Sequence, residues 1–320
     1  MRQYIIKRLL ILIPVFIGVS MIIFALIHTA PGDPYAYMVE SGLPIEEKEI
    51  QLQKIGYYDS LPVKYFKWVG NVFQGNLGYS IRYAEPVTKV IGRRIGNTAL
   101  LSVTSLTAST LLSISLGIVA AVKKKTITDY IISIISLIGI SLPTFFLALG
   151  LIKILSIDLN LLPVSGIETT GVNYTGWKRA MDIFRHMLLP FIVLTLTQTA
   201  SMVRYTRSAM LEVLGQDYIR TARAKGLAKR VVIHLHAFRN TLIPIITLIA
   251  MSLGNLLSGT VLIETVFVWP GMGNLIYQAV SNRDYPLIVS GTLFLALCTL
   301  LANLLADILY GILDPRIRYN

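Results

Sequence analysis

The chain has 320 residues, of which 54% are hydrophobic and only 14% charged, and its formal net charge is +12. Soluble proteins of this size carry about 25% charged residues, so the composition excludes a water-soluble globular fold and places the chain in a membrane. A single cysteine, Cys298, excludes a disulfide framework and a thiolate metal site.

Apolar runs of about 20 residues are the helical unit that crosses a bilayer, and six occur: 9–28, 98–122, 130–155, 187–203, 241–263 and 286–312. They predict one all-α polytopic membrane protein with six transmembrane helices. The first run follows Arg2, Lys7 and Arg8. It is longer than the apolar region of a signal peptide and no small-x-small cleavage site follows it, so it reads as a retained helix. Residues 31–97 are polar and punctuated by Gly and Pro. Yet Tyr35, Tyr37, Tyr65, Phe66, Trp68, Val69, Val72 and Phe73 recur there at a density foreign to disordered chains. A small extracytoplasmic insertion of short helices and turns is expected.

Within the second run, Ser102, Ser105, Ser109 and Ser113 form a stripe that reads as helix-packing surface. Lys153 and Asp307 fall near span ends, where their side chains reach the interface. Charges at mid-membrane depth, the mark of an ion-coupled carrier, are lacking. Gln198, Asn255, Ser258 and Asn303 stand as candidates for lining an uncharged translocation path. Residues 264–285, with Trp269, Pro270, Gly271 and Gly273, read either as a bent, partly re-entrant extracytoplasmic loop near that path or as an interfacial aromatic anchor.

Orientation follows from the basic residues. Arg2, Lys7 and Arg8, then Lys123, Lys124 and Lys125, then eight Lys and Arg between Arg204 and Arg239, then Arg316 and Arg318 share one side. The two short loops opposite hold only Lys178, Arg179, Arg185 and Arg283. A segment as long as 31–97 translocates largely regardless of its charge. Residues 1–8, 123–129, 204–240 and 314–320 are therefore predicted to be cytosolic, and 31–97, 156–186 and 264–285 external. Contact with an anionic inner leaflet accounts for the positive charge, and nucleic acid is not needed to explain it.

No G-x-x-x-x-G-K-[ST] loop is present to cradle phosphate, nor a G-x-S-x-G or H-E-x-x-H motif to support hydrolysis. The histidines His28 and His186 lie at span ends, and His234 and His236 have no nearby cysteine or carboxylate to complete a metal site. The chain is expected to be no enzyme, to hold no metal and no cofactor of its own, and to draw its energy from elsewhere.

The segment QDYIRTARAKGLAKR, residues 216–230, breaks the apolar pattern. Asp217 is a suitable N-cap and Gly226 a suitable residue for the left-handed position after a helix. The helix between them, 218–225, would be roughly 12 Å long, too short to be stable alone. No continuous apolar stripe is apparent, so the helix reads as one not built to bury itself in its own chain. Ala222 and Gly226 leave a spot without bulk, and Tyr218, Arg220, Thr221, Arg223, Ala224 and Lys225 surround it. That pattern suits a groove on a cytosolic protein partner better than a loop resting on headgroups.

The segment resembles the coupling loop of integral-membrane permease subunits of binding-protein-dependent ABC importers, whose generic form is Glu-Ala-Ala-x-x-x-Gly. Here Arg220, Thr221, Ala222 and Gly226 occupy those positions, with Leu242, Ile243 and Pro244 downstream. The stretches YIIKRLL (4–10), PGDP (31–34), GNLGYS (75–80), Arg239 with Asn240, ETVFVWPGMG (264–273) and RDYP (283–286) are similar to the dipeptide, oligopeptide and nickel branch. The resemblance covers essentially the whole chain. Asn76 stands where the family often has Asp, and YYDSLP (57–62) follows the family pattern only loosely.

The resemblance implies an N-terminal transmembrane helix (1–30), an extracytoplasmic insertion (31–97) and a five-helix permease core (98–320) with a coupling loop at 204–240. It implies a second, homologous but non-identical permease subunit, two ATPase subunits that bind ATP and Mg, and an extracytoplasmic substrate-binding protein, all at the cytoplasmic membrane of a prokaryote. Peptide is the implied cargo, with a nickel chelate or another small solute as the variant. A self-sufficient secondary carrier is the rival class.

Overall fold

A computed structural model describes residues 2–29, 45–54 and 56–313. The expectation for PGDP (31–34) falls outside them. The described chain is mostly helical. Helix α1 (Arg2–Thr29) is followed by α2 (Ile45–Lys54) and α3 (Leu61–Phe73), then by the two-residue strands β1 (Tyr79–Ser80) and β2 (Glu85–Pro86). These strands pair antiparallel, Tyr79 opposite Pro86 and Ser80 opposite Glu85, so the insertion holds a small hairpin that hydropathy does not reveal. Then come α4 (Val87–Val122), α5 (Ile127–Ser141), and α6 (Thr144–Leu151), which runs into a π-helical stretch, Ile152–Asp158. The long α7 (Gly176–Leu214) leads to the short α8 (Asp217–Ala224) and α9 (Lys229–Val231). A second π-helical stretch, Val232–Phe238, joins α9 to α10 (Arg239–Gly259), and α11 (Val261–Val266), α12 (Met272–Ser281) and α13 (Tyr285–Leu313) complete the order.

Among the described residues, four helices are long and apolar enough to cross a membrane: α1, α4, α7 and α13. A fifth span results if α5 and α6 count as one, but they meet at a bend of 101°. The third expected span, over 130–155, is thus broken near its middle. Pro143 is the reason: the residue before a proline is driven out of helical geometry, and Leu142 is extended, at φ −77° and ψ 126°. The second span also departs from expectation, since its helix begins at Val87 rather than at 98. Val87, Val90 and Ile91 repeat at helical spacing and bury against Met272, Leu275, Ala279 and Leu287. An amphipathic extension of this kind escapes a search for continuous apolar runs.

Two acceptors latch the hairpin to the bundle. Ser80 Oγ and the Arg82 N–H donate to the buried Asp284 carboxylate at the start of α13. Ser290 Oγ donates to the Leu77 carbonyl at 2.7 Å. At the other end of the bundle, Arg8 of α1 pairs with Asp307 of α13 at 3.0 Å.

Among the described residues, the most extensive helix contact is between α4 and α7. Lipid offers no hydrophobic gain for bringing helices together, so close packing of small residues must do it. The stripe Ser102, Ser105, Ser109 and Ser113 is accordingly buried, as the sequence reading expects. Gly117 of α4 lies tight against α7: a Cβ there would lie 2.6 Å from Thr206 Cβ. On the other flank of α7, a Cβ at Gly139 of α5 would lie 2.8 Å from Ala200 Cβ. Gly117→Leu should therefore force α4 from α7 and cost about 1–3 kcal/mol, as overpacking does. A lowered melting temperature in detergent would show it, whereas Gly92→Leu, with nothing within 4 Å of its Cβ position, should leave the melting temperature unchanged.

Candidate functional site

The short helix α8 is held by its own chain. Ile219 is 0% and Ala222 6% exposed, and both belong to a cluster with Ala121 at the end of α4, Met210 of α7, and Val232 and Ala237 of the π-helical stretch. This corrects the expectation that the helix does not bury itself and that Ala222 offers a landing place for a partner. Two residues three apart suffice to seat so short an element, although they make no stripe that periodicity would detect.

The helix ends also differ in part from expectation. Gln216 holds the N-cap position and no side chain caps the first turn, while Asp217 is the first helical residue. At the other end Gly226 takes φ +74°. The Gly226 N–H donates to the Arg223 carbonyl at 3.0 Å and the Leu227 N–H to the Ala222 carbonyl at 3.4 Å. That is a Schellman closure, which needs the left-handed residue that glycine supplies without strain.

The opposite face of α8 is open. Asp217, Tyr218, Arg220, Thr221, Arg223, Ala224, Lys225 and Gly226 are all exposed, and Arg220 and Asp217 meet at 3.3 Å on this solvated surface. Nothing lies within 4 Å of where a Gly226 Cβ would stand. Beside the helix, Glu212, Val213, Gln216, Tyr218 and Asn240 line a shallow depression. The result is a basic ridge, anchored from below and free on top.

A buried ion pair ties the helices above this ridge together, and the sequence reading missed it. The Asp129 carboxylate at the start of α5 accepts Arg207 Nε at 2.6 Å and a second guanidinium N–H at 2.9 Å. It also accepts the Lys125 N–H at 2.9 Å. The turn between α4 and α5 is thereby clamped to α7 by a bidentate bond, the strongest geometry such a pair has. Asp129 carries no local signal, since it simply precedes the third apolar run, and only the fold brings Arg207 to it. Asp129→Ala should destabilise the chain by about 3 kcal/mol, the lower end for a broken buried pair because Arg207 keeps some solvent contact. Asp129→Leu with Arg207→Met should recover most of that loss, as thermal melts of the purified variants would show.

The path candidates separate. Gln198 Oε1 accepts Ser109 Oγ at 3.2 Å, so its side chain joins α7 to α4. Asn303 of α13 is exposed. The side chains of Asn255 and Ser258 lie outside those described.

The loop after α11 is a rigid knot rather than a surface anchor. Trp269 is 0% exposed, and its indole N–H donates to the Asn97 carbonyl at 3.1 Å while Asn97 Nδ2 donates to the Pro270 carbonyl at 2.9 Å. Such burial overturns the interfacial aromatic anchor. At the centre is Glu264, 0% exposed. One oxygen accepts Thr98 Oγ1 at 2.7 Å, and the other accepts the N–H groups of Gly273 at 2.7 Å and Asn274 at 3.2 Å. The carboxylate thus faces the N-terminus of α12, where unpaired N–H groups and the helix dipole favour negative charge. A Cβ on Gly271 would collide with that carboxylate, and one on Gly273 with the Val261 backbone. Val268 is held at φ +49°, a costly conformation for a β-branched residue, so the surrounding bonds over-determine the turn. Glu264 adjoins the fifth apolar run, and nothing in its neighbours signals that Thr98, far upstream, completes its shell.

Two family models match the chain. The N-terminal model for the membrane component of binding-protein-dependent transport systems matches residues 1–102, and the model for the inner membrane component of these systems matches residues 113–319. Over the full length of both chains, this one is 40% identical to the oligopeptide transport system permease protein AppB of Bacillus subtilis. It is likewise 40% identical to the dipeptide transport system permease protein DppB of Escherichia coli K12 across 100% of each chain. Identity to the di/tripeptide transport system permease protein DppB of Pseudomonas aeruginosa is 39%, again over 100% of each. With relatives of this identity along its entire length and family models over nearly all of it, the chain belongs to the inner membrane components of binding-protein-dependent transport systems.

Proposed function

We propose that this chain is a transmembrane permease subunit of an ABC importer that moves di- or oligopeptides across the cytoplasmic membrane of a bacterium. The observation that carries the reading is identity near 40%, without gaps in coverage, to chains named as peptide permeases. Six spans complete the proposal: α1, α4, the bent α5 and α6 pair, α7, α10 and α13, with both termini cytosolic. The distribution of Lys and Arg supports that orientation.

In this reading a second, homologous permease subunit completes the pore, and two ATPase subunits, which bind ATP and Mg, sit against the basic ridge of α8. An extracytoplasmic binding protein delivers the cargo. This chain contributes leverage. Because Ile219 and Ala222 seat α8 on Ala121, Met210, Val232 and Ala237 at once, displacement of α8 pulls on α4, α7 and the helix leading into α10 together. Rocking of packed helices about a central site is the ordinary form of such transport. The Asp129 and Arg207 clamp makes the α4 to α5 turn follow.

Two outcomes test this. The purified chain, free of partners, should not crosslink a photoreactive ATP analogue, and specific labelling would overturn the division of labour. Gly226→Leu places a branched residue at φ +74°, which costs roughly 1 kcal/mol or more, and puts bulk on the open side of α8. Reconstituted with its partners, that variant should insert normally yet lose ATP-driven peptide uptake and retain little substrate-stimulated hydrolysis. Full uptake would sink the assignment of α8 as the docking helix.

A further inference from the structure

Helix α3 carries two apolar faces, and its own chain uses one. Leu61, Tyr65 and Trp68 pack with Phe24 of α1 and with Val289 and Leu293 of α13. Tyr65 stands edge-on to Phe24 at 5.5 Å between ring centres, and its hydroxyl meets Ser20 Oγ at 2.7 Å. On a different side, Val63, Phe66, Gly70 and Phe73 recur at intervals of three and four, which places them along one helical line. Of these, Phe66 is 70% and Phe73 88% exposed.

We infer that this second face of α3 is immersed in the lipid leaflet on the side opposite Arg8, making α3 an interfacial helix of the permease. Depth supports lipid as the occupant. Measured along α1 from Arg8, Ser20 stands roughly 18 Å and Phe24 roughly 24 Å away at 1.5 Å per residue, inside a hydrocarbon layer of about 30 Å. Tyr65, bonded to Ser20, and Trp68, packed on Phe24, are thus fastened in the half of that layer away from Arg8. The apolar surface is also continuous: α1, to which α3 is fastened, exposes Met21, Ile22 and Leu26 at the same depth. Of the four long apolar helices it is the least covered by the rest of the described chain. A soluble protein that docks and departs would leave two phenylalanine rings in water between visits, which lipid avoids. Lys67, paired with Asp59, and the exposed Asn71 and Gln74 flank the stripe and suit a headgroup boundary. Which leaflet is involved rests on the orientation proposed above; immersion in lipid does not.

The test uses single cysteines at Phe66→Cys, Phe73→Cys and, on the polar flank, Asn71→Cys, in a Cys298→Ser background with the other subunits free of cysteine. Each is labelled with an environment-sensitive fluorophore in the assembled complex, in nanodiscs made with or without doxyl-labelled phosphatidylcholine. At positions 66 and 73 the expected result is blue-shifted emission, loss of fluorescence to acyl-chain doxyl and resistance to aqueous iodide, all unchanged by binding protein. Position 71 should quench more readily with iodide, which also reports that the segment is folded. Iodide quenching without doxyl quenching at 66 and 73 overturns the inference. Protection from both quenchers also overturns it, in favour of the binding protein if protection appears only on its addition, and of the second permease subunit if it is constant.

Discussion

Hydrocarbon surrounds this bundle, so the burial of apolar side chains between helices gains little over contact with lipid, and cohesion depends on how closely backbones approach. The distance between α4 and α7 is therefore the constraint from which the rest of the structure follows. Gly117 against Thr206 sets it, and Ser109 reaching Gln198 keeps the register. Serines and glycines at this contact serve where leucines would serve in water. They also leave dispersion and a few hydrogen bonds, both of short range, as the forces holding the longest helices together.

Polar groups close the arrangement at two points of α4, one a third of the way along it and one just past its end. At the first, Glu264 gathers Thr98 of α4 and the first N–H groups of α12 around a single carboxylate. At the other, Asp129 gathers the turn after α4 and Arg207 of α7. Each carboxylate is buried and each is satisfied by several donors, the condition under which a buried charge is tolerated. In a low-dielectric setting such knots resist partial opening, because losing one donor leaves the rest of the network unpaired. The two knots thereby fasten α4 to α12, to α5 and to α7 as one unit.

The ridge formed by α8 stands at the end of this rigid unit. Its inner residues, Ile219 and Ala222, are few, and its closure depends on one left-handed glycine. A helix of this length has no stability of its own, so it exists only as seated. An element seated on three others at once transmits a push to all of them. One lying loosely on the surface would absorb it.

Much of this was legible in the residues. Scarcity of charge and the length of the apolar runs determined that the chain is a helical membrane protein, because hydrocarbon accepts no unpaired backbone. Gly226 after a short basic segment determined the end of α8. Local signals of this kind act within a turn or two, and periodicity or composition reads them directly. What only the tertiary structure decided depends on residues far apart in the chain. The bend at Pro143 breaks one expected run into two helices that meet at 101°, and the amphipathic start of α4 at Val87 became visible only with Met272 and Leu275 against it. Ala222 turned inward rather than outward because Met210 and Val232 arrive beneath it. Glu264 finds Thr98, and Asp129 finds Arg207, across separations that no local pattern encodes. A carboxylate beside an apolar run reads the same whether it faces water or a shell of donors, and only the packed fold distinguishes the two.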